Sequence, residues 1–300
     1  RKSWILFPVL NQHTLPICHF NKLFYLTSEK GMFVNSYPFL FNITMTEKQL
    51  EHDMLMQFII DDCYVNTKKS LEYPPVALSF GEKLIKSKTG DSLLPIPIGT
   101  YGNLSVVTAP PKTKKTFFIS LLASVYLSGS NIYGGKIKGH RGKGHLLHID
   151  TEQGLWHCQK VFKRVFDMDK GVDPSIYHTF GLRAIGYKTR LQFIEYYLQT
   201  KINTPSLVII DGIADLVSDV NNLEESNAVV QKLMQWSALY NCHIINVIHQ
   251  NFGSTKLGTG HLGSFLEKKA ETVISLEANT VNKEWVTVKC KRSRGYAFET

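Results

Sequence analysis

Residues 109–116, APPKTKKT, have the residue types and spacing of a phosphate-binding loop. Such loops follow the pattern G-x-x-x-x-G-K-[ST], in which backbone N–H groups at a helix N-terminus surround the phosphates of a nucleotide. Lys115 is expected to reach the β- and γ-phosphates, and the Thr116 hydroxyl to ligate Mg²⁺. Nucleotide contacts are therefore predicted along the whole loop, at Ala109, Pro110, Pro111, Lys112, Thr113, Lys114, Lys115 and Thr116.

Two positions of this loop depart from the pattern, because Ala109 and Lys114 stand where glycines are usual. Glycine permits a positive φ and a close approach of the ligand. Lys114 is therefore expected either to strain the loop and weaken binding, or to add a second positive charge beside the phosphates. The alternative is an ordinary basic helix start whose lysines face solvent.

Carboxylates follow two apolar runs that are typical of buried strands. Residues 207–211 read LVIID, which predicts that Asp211 lies at the carboxyl edge of a sheet and ligates Mg²⁺ together with Thr116. Residues 147–152 read LHIDTE and place Asp150 and Glu152 after a second strand, where a carboxylate can orient a water molecule. The alternative for either strand is a carboxylate that only closes a turn or caps a helix.

Polar side chains also follow the predicted strand 243–248, where His249 and Gln250 precede a glycine-rich segment. An amide at the end of a central strand can hydrogen-bond the γ-phosphate and report its loss to the adjoining loop. The alternative is that either residue merely closes the strand. We predict a long, flexible loop over residues 251–262, of the kind that often carries function.

Short apolar strands alternate with helical patterns from residue 104 onward. This alternation predicts an α/β fold with a mainly parallel central sheet, helices on both faces and an antiparallel C-terminal pair. Before it, the segment containing Pro95 and Pro97 is predicted to be a loop. The predicted strands are 104–108, 146–149, 206–210, 243–248, 272–276 and 284–290, and the main predicted helices are 115–127, one carrying Trp156 to Val165, 189–200 and 223–240.

The Tyr73-Pro74-Pro75 sequence predicts a boundary, because paired prolines interrupt helices and central strands. We therefore expect two parts, an N-terminal region 1–75 of unknown role and an α/β domain 76–300. The first includes a helical pattern at 45–63. His13, Cys18 and His19 lack a second ligand pair, which argues against a zinc site.

Composition limits the partners and the compartment. The net charge of +9 and a pI near 9.2 favour polyanionic partners, since neutralised phosphates release condensed counterions. Five scattered cysteines are expected to be reduced thiols in the cytoplasm. No run approaches the roughly twenty apolar residues of a membrane span, so no membrane partner is expected.

Together these segments resemble the RecA/DnaB superfamily of P-loop ATPases, most closely its RepA-like members from plasmids, phages and mobile elements, with a degenerate Walker A loop. The resemblance covers about residues 78–298 and implies a RecA-like fold that binds ATP with Mg²⁺. It also implies homo-oligomers, commonly hexameric rings, that act on DNA. The DNA is expected to be single-stranded and bound without sequence specificity, and the activity to include that of a helicase.

The same resemblance implies roles for individual residues. It gives Glu152 as the catalytic carboxylate, with Asp150 as the less favoured alternative, Asp211 as the Walker B acid, and Gln250 or His249 as the γ-phosphate sensor. The basic residues 289–295 are similar to a stretch that supplies a finger to the nucleotide of a neighbouring subunit, with Lys291, Arg292 and Arg294 as candidates. The alternative for this stretch is a solvated basic edge strand.

We therefore expect a cytoplasmic ATPase that acts on DNA in the replication or mobilisation of a mobile element. Its expected DNA contacts are the basic clusters 136–143, Lys256 and 289–294, the first of them interpreted as a glycine-spaced loop. One alternative is a non-catalytic ATP-binding scaffold or regulator whose loop Lys114 has disabled. Another is a small-molecule kinase, which the absence of an arginine-rich lid disfavours.

Overall fold

The computed structural model describes residues 47–86, 90–111, 113–200, 205–250, 258–279, 281–282 and 284–298. The chain divides into two units, Arg1–Tyr73 and Pro74–Thr300. In the first unit, helix α1 spans Glu47–Cys63 and so lies within the predicted helical pattern at 45–63. The histidines and cysteine considered for zinc, at 13, 18 and 19, lie outside the described residues.

The described part of the second unit contains ten strands and five α-helices. The strands are β1 (Val76–Ile85), β2 (Ser92–Thr100), β3 (Leu104–Ala109), β4 (Ile137–Gly139), β5 (His145–Asp150), β6 (Tyr177–Gly181), β7 (Pro205–Asp211), β8 (His243–His249), β9 (Thr272–Ala278) and β10 (Val286–Ser293). The helices are α2 (Lys115–Ser128), α3 (Leu155–Met168), α4 (Tyr187–Thr200), α5 (Leu223–Leu239) and α6 (Gly260–Lys269).

Seven strands form the central sheet in the order β10-β9-β3-β8-β7-β5-β6. Every neighbouring pair is parallel except β9 and β10, so the predicted parallel sheet with an antiparallel C-terminal pair is confirmed. Strand β8 lies between β3, which precedes the phosphate loop, and β7, which ends at Asp211. The chain segments that follow β3, β5, β7 and β8 therefore meet at one edge of the sheet.

The two faces of the central sheet carry separate apolar cores. One core includes Ile119 and Leu122 of α2 and Val161 and Val165 of α3. The other core is formed with residues of α4, α5 and α6, such as Ile194, Val230 and Leu266 respectively. Helices therefore cover both faces of the sheet, as predicted.

A smaller sheet of order β2-β1-β4 is present, which the sequence did not predict. The segment predicted as a loop around Pro95 and Pro97 is strand β2, so that prediction was wrong. Strand β2 is an edge strand, where the missing N–H of proline interrupts no ladder on the outer side. Helix α6 begins at Gly260, so residues 260–262 of the predicted loop are helical.

Among the described residues, no helix has the length and the apolar character needed to cross a membrane.

Gly139 of β4 tests how closely the small sheet packs on α2. A Cβ at this position would lie 2.1 Å from the carbonyl oxygen of Val125 and 2.7 Å from Cα of Tyr126. Because both atoms belong to the backbone, Gly139→Ala is expected to lower the free energy of unfolding by about 1–3 kcal/mol, measured by urea denaturation. Gly186→Ala is the matched control, since a Cβ there meets nothing within 4 Å. Equal stability of the two variants would contradict this packing.

Candidate functional site

The segment between β3 and α2 has the backbone conformation of a curled loop. Lys114 adopts φ 56° and ψ 27°, the left-handed region that glycine occupies at little cost. The Thr113 hydroxyl donates to the carbonyl oxygen of Pro110 at 2.7 Å, a hydrogen bond within the loop. Lys112 lies outside the described residues.

The Lys114 side chain leaves the loop. Its Nζ donates to the backbone carbonyl of Glu284, at 2.6 Å, in the turn between β9 and β10. Lys114 is exposed, as the alternative of a solvent-facing lysine predicted, but its ammonium is hydrogen-bonded to the hairpin. Lys114 also supplies the left-handed backbone itself, at a cost of about 1–2 kcal/mol, and links the loop to the neighbouring hairpin.

Lys115, the first residue of α2, is 8% exposed. Its Nζ lies 3.4 Å from Oδ1 of Asp211 and 3.7 Å from Oε1 of Glu152. Neither this Nζ nor Asp211 Oδ1 has a hydrogen-bond partner among the described residues. Buried polar atoms in proteins are nearly always hydrogen-bonded, so an ammonium and a carboxylate oxygen left open at a helix N-terminus fit a phosphate and its cation. Thr116, the next residue, is half-buried.

Asp211 and Glu152 titrate in opposite directions. Burial raises the pKa of Asp211 to about 6, and the negative charges of Glu152 and Asp150 add to the rise, while Lys115 opposes it. The pKa of Glu152 is instead lowered, chiefly by the hydrogen bond from His249 and then by the charge of Lys115, against the effect of its partial burial. Glu152 is therefore the carboxylate that stays ionised.

The Asp150 carboxylate is hydrogen-bonded within the turn that follows β5. Its carboxylate accepts the backbone N–H groups of Glu152 and Gln153, at 3.0 and 2.8 Å, and the side-chain amide of Gln153 at 2.7 Å. With its oxygens engaged in this way, Asp150 holds the turn, and Glu152 is the carboxylate of this segment that contacts Lys115. This is the turn role that the sequence left open for Asp150.

The turns after β5 and β7 are joined at a position that requires glycine. The Thr151 hydroxyl donates to the carbonyl oxygen of Gly212 at 2.8 Å. Gly212 has φ 101°, and a Cβ there would lie 2.2 Å from the Thr151 oxygen. Thr151 and Gly212 thus set the separation of Glu152 and Asp211. Neither residue was singled out from the sequence, because only the pairing of β5 with β7 brings them together.

His249 and Gln250 follow β8 and contact different partners. His249 Nε2 lies 3.4 Å from Glu152 Oε1, and its buried Nδ1 has no hydrogen-bond partner in the described part of the chain. The buried Gln250 side chain donates to the Thr108 hydroxyl of β3 at 3.0 Å. His249 is therefore the residue that touches the ionised carboxylate, and Gln250 ties the end of β8 to β3. Thr108 was not identified from the sequence.

The candidate finger residues lie at the opposite edge of the sheet from the phosphate loop. Arg292 and Ser293 pair with the first residues of β9, and β9 runs parallel to β3. Arg292 donates to the carbonyl oxygen of Glu267 at 3.4 Å, and Arg294 to that of Lys269 at 3.1 Å. Lys291 forms an ion pair with the Glu267 carboxylate at 3.1 Å. A single chain therefore does not bring these residues to its own loop.

The basic segment 136–143 differs from the loop that was expected. Residues 137–139 form β4, and Arg141 donates from Nε to the carbonyl oxygen of Leu127 at 3.0 Å. Exposed cationic side chains remain at Lys136, Lys138 and Lys143. The interpretation of the whole segment as a loop was therefore wrong. Lys256 lies outside the described residues.

No group of three or more His, Cys, Asp or Glu side chains that could hold a metal ion is found within the described ranges. A cation at this edge would thus rely on Asp211, Thr116 and the oxygens of a ligand. Mg²⁺ is commonly held in this way, by one or two protein ligands and the phosphates of its nucleotide.

A family model described as an AAA domain, AAA_25, matches residues 92–254, which is more than half of the chain. The matched range includes the phosphate loop, Glu152, Asp211, His249 and Gln250, and it ends before Arg292. No curated protein matches the chain.

The raised pKa of Asp211 predicts a pH dependence of stability. Its folded pKa of about 6 exceeds its ordinary value of 3.8, so the native state binds more protons between these values, and stability falls as the pH rises from 4 to 6. Asp211→Asn should remove this contribution. The unfolding free energy of the variant relative to the natural chain is therefore expected to rise by about 1–3 kcal/mol between pH 4 and pH 7.

Urea denaturation of both proteins at pH 4, 5, 6 and 7 measures this difference. A difference that stays constant across the four values would show that Asp211 is not perturbed by burial.

Proposed function

The chain belongs to the AAA_25 family of AAA domains, a family of P-loop ATPases, and on this premise we propose that it binds Mg·ATP on residues 109–116 and hydrolyses it. The observation that carries the proposal is the buried Lys115 Nζ. It lies between two carboxylates without a hydrogen bond at the N-terminus of α2. A phosphate would supply the acceptors that this ammonium lacks.

Each residue of the site has a chemical task in this proposal. The backbone of the loop and Lys115 would hold the β- and γ-phosphates, and Thr116 and Asp211 would hold Mg²⁺, which offsets the negative charge that develops during transfer. Glu152, kept ionised by His249 and Lys115, would orient the attacking water and accept its proton. The burial of both side chains strengthens the electrostatic contact between Lys115 and Asp211.

His249 is proposed as a positioning residue for Glu152. Its Nε2 lies within 3.4 Å of the carboxylate, on the strand between the phosphate loop and Asp211. A γ-phosphate near the unpartnered Nδ1 would change how the imidazole holds Glu152. Gln250 would transmit the same event through β3, because it contacts Thr108 directly before the loop. The sensor role is therefore divided between the two residues.

The alternative of a non-catalytic scaffold rests on Lys114. Its backbone already has the conformation that the loop needs, and its side chain contacts Glu284 rather than filling the loop. The substitution costs about 1–2 kcal/mol of backbone strain, which is too small to abolish nucleotide binding by itself. These observations favour the catalytic proposal over the scaffold.

We further propose that the ATPase acts on DNA as a homo-oligomer, in the replication or mobilisation of a mobile element. The net charge of +9 and the exposed Lys136, Lys138 and Lys143 support contact with a polyanion. Because Arg292 and Arg294 lie far from their own loop along the sheet, a finger role requires the nucleotide of a neighbouring copy. Helicase activity and a hexameric ring are the corresponding finer proposals.

Glu152→Gln is expected to lower ATP turnover by about 100-fold or more while the variant still binds Mg·ATP, because an amide cannot accept a proton from water as a carboxylate does. Phosphate release at saturating Mg·ATP, with and without single-stranded DNA, measures this. Glu224→Gln, an exposed position in the first turn of α5, is the control and should keep natural turnover.

Natural turnover in Glu152→Gln would contradict the assigned role. Tight Mg·ATP binding by the natural chain with no turnover under either condition would instead establish the scaffold. Turnover that single-stranded DNA does not change would remove the main support for action on DNA.

A further inference from the structure

The hairpin between β9 and β10 stands beside the phosphate loop. Strand β9 is parallel to β3, with Thr108 opposite Ser275, and it continues to Ala278. At about 3.3 Å per residue, the hairpin therefore rises roughly 10 Å beyond the level of Thr108, at the edge where the loop begins. The Lys114–Glu284 hydrogen bond joins the two segments directly.

The turn of this hairpin is held by its own hydrogen bonds. Asn279 Oδ1 accepts the N–H groups of Val281 and Asn282 at 2.9 Å each, and Asn282 Oδ1 accepts the N–H of Glu284 at 2.8 Å. The Trp285 N–H donates to the carbonyl oxygen of Asn282 at 3.0 Å, and its own carbonyl accepts from Asn279 at 3.1 Å. Both backbone polar groups of Trp285 are therefore hydrogen-bonded within the hairpin.

Trp285 is 66% exposed although it follows the residue that Lys114 contacts. A large indole ring gains stability when it is removed from water, so an exposed ring on a fixed backbone beside a ligand site is a surface available for stacking. Every nucleobase has a flat face that stacks on an aromatic ring.

The order of the strands indicates the direction that a nucleotide on this loop would take. Glu152 and Asp211 follow β5 and β7, which lie on one side of β3 in the sheet. Both carboxylates lie near Lys115, so a γ-phosphate attacked by a water near Glu152 would point to that side. The α-phosphate and the nucleoside would then extend to the opposite side of β3, where β9, β10 and their hairpin lie.

We propose that Trp285 is the stacking platform for the base of the nucleotide whose phosphates lie on residues 109–116. This inference rests on the proposed nucleotide binding and adds to it the recognition of the base. Lys114 links the two halves of the site, because its backbone shapes the phosphate loop while its ammonium fixes the hairpin that carries Trp285.

The test compares two ligands that share the phosphate chain, Mg·ATP and magnesium tripolyphosphate, by calorimetric titration of the full chain. Trp285→Ala should weaken Mg·ATP binding about tenfold and leave tripolyphosphate binding unchanged, because only ATP carries a base. Trp285→Phe should recover most of the loss. Trp156→Ala is the matched control, since Trp156 is 67% exposed on α3 and should affect neither ligand.

Natural Mg·ATP affinity in Trp285→Ala would overturn the inference while leaving the proposed function in place. Equal losses for both ligands would also overturn it, since they would show a disturbed phosphate loop. If the natural chain bound neither ligand, the proposed nucleotide binding itself would fail. Quenching of tryptophan fluorescence by Mg·ATP, absent with tripolyphosphate and absent in Trp285→Ala, is the expected spectroscopic sign of stacking.

Discussion

The buried contact of Lys115 with Asp211 is the constraint on which the rest of the site depends. Removing an ammonium and a carboxylate from water costs several kcal/mol per ion, and their attraction offsets this only with good geometry. Here the two atoms are 3.4 Å apart, and neither has a hydrogen bond within the described residues. Because this contact leaves both groups without a hydrogen bond, the sheet must hold the two charges in place. A phosphate would supply an acceptor for Lys115, and its cation would bind Asp211.

The order of the strands decides which groups share this constraint. Strand β8 lies between β3 and β7, so His249 follows the strand next to that of Asp211, and its Nε2 lies 3.4 Å from Glu152 Oε1. The two carboxylates, similar in type, then differ in pKa because one is buried and the other accepts a hydrogen bond from His249. Glu152 is therefore ionised at neutral pH, as a group that orients a water molecule must be.

Six of the seven strands of the main sheet were predicted from sequence, because their apolar runs are short, are bounded by polar turns and alternate with helical patterns. Strand β6 (Tyr177–Gly181) was not predicted. Strand β2 was not predicted either, since Pro95 and Pro97 indicate a loop unless the strand is known to lie at an edge. The loop and Asp211 were identified from residue types and spacing, and Glu152 was preferred over Asp150 because of the family resemblance. The contacts of His249 with Glu152 and of Gln250 with Thr108 were not identified, because they depend on strand order, which spacing does not determine.

Titration of Mg·ATP into the natural chain and Lys115→Met tests the central claim most directly. Methionine keeps the volume of the side chain but removes the charge that would meet the phosphates. Affinity is expected to fall by roughly 10- to 100-fold, the range for a lost charged hydrogen bond, while circular dichroism shows that the variant remains folded. Unchanged affinity in a folded Lys115→Met variant would mean that the nucleotide does not lie on this loop, and the account would be wrong.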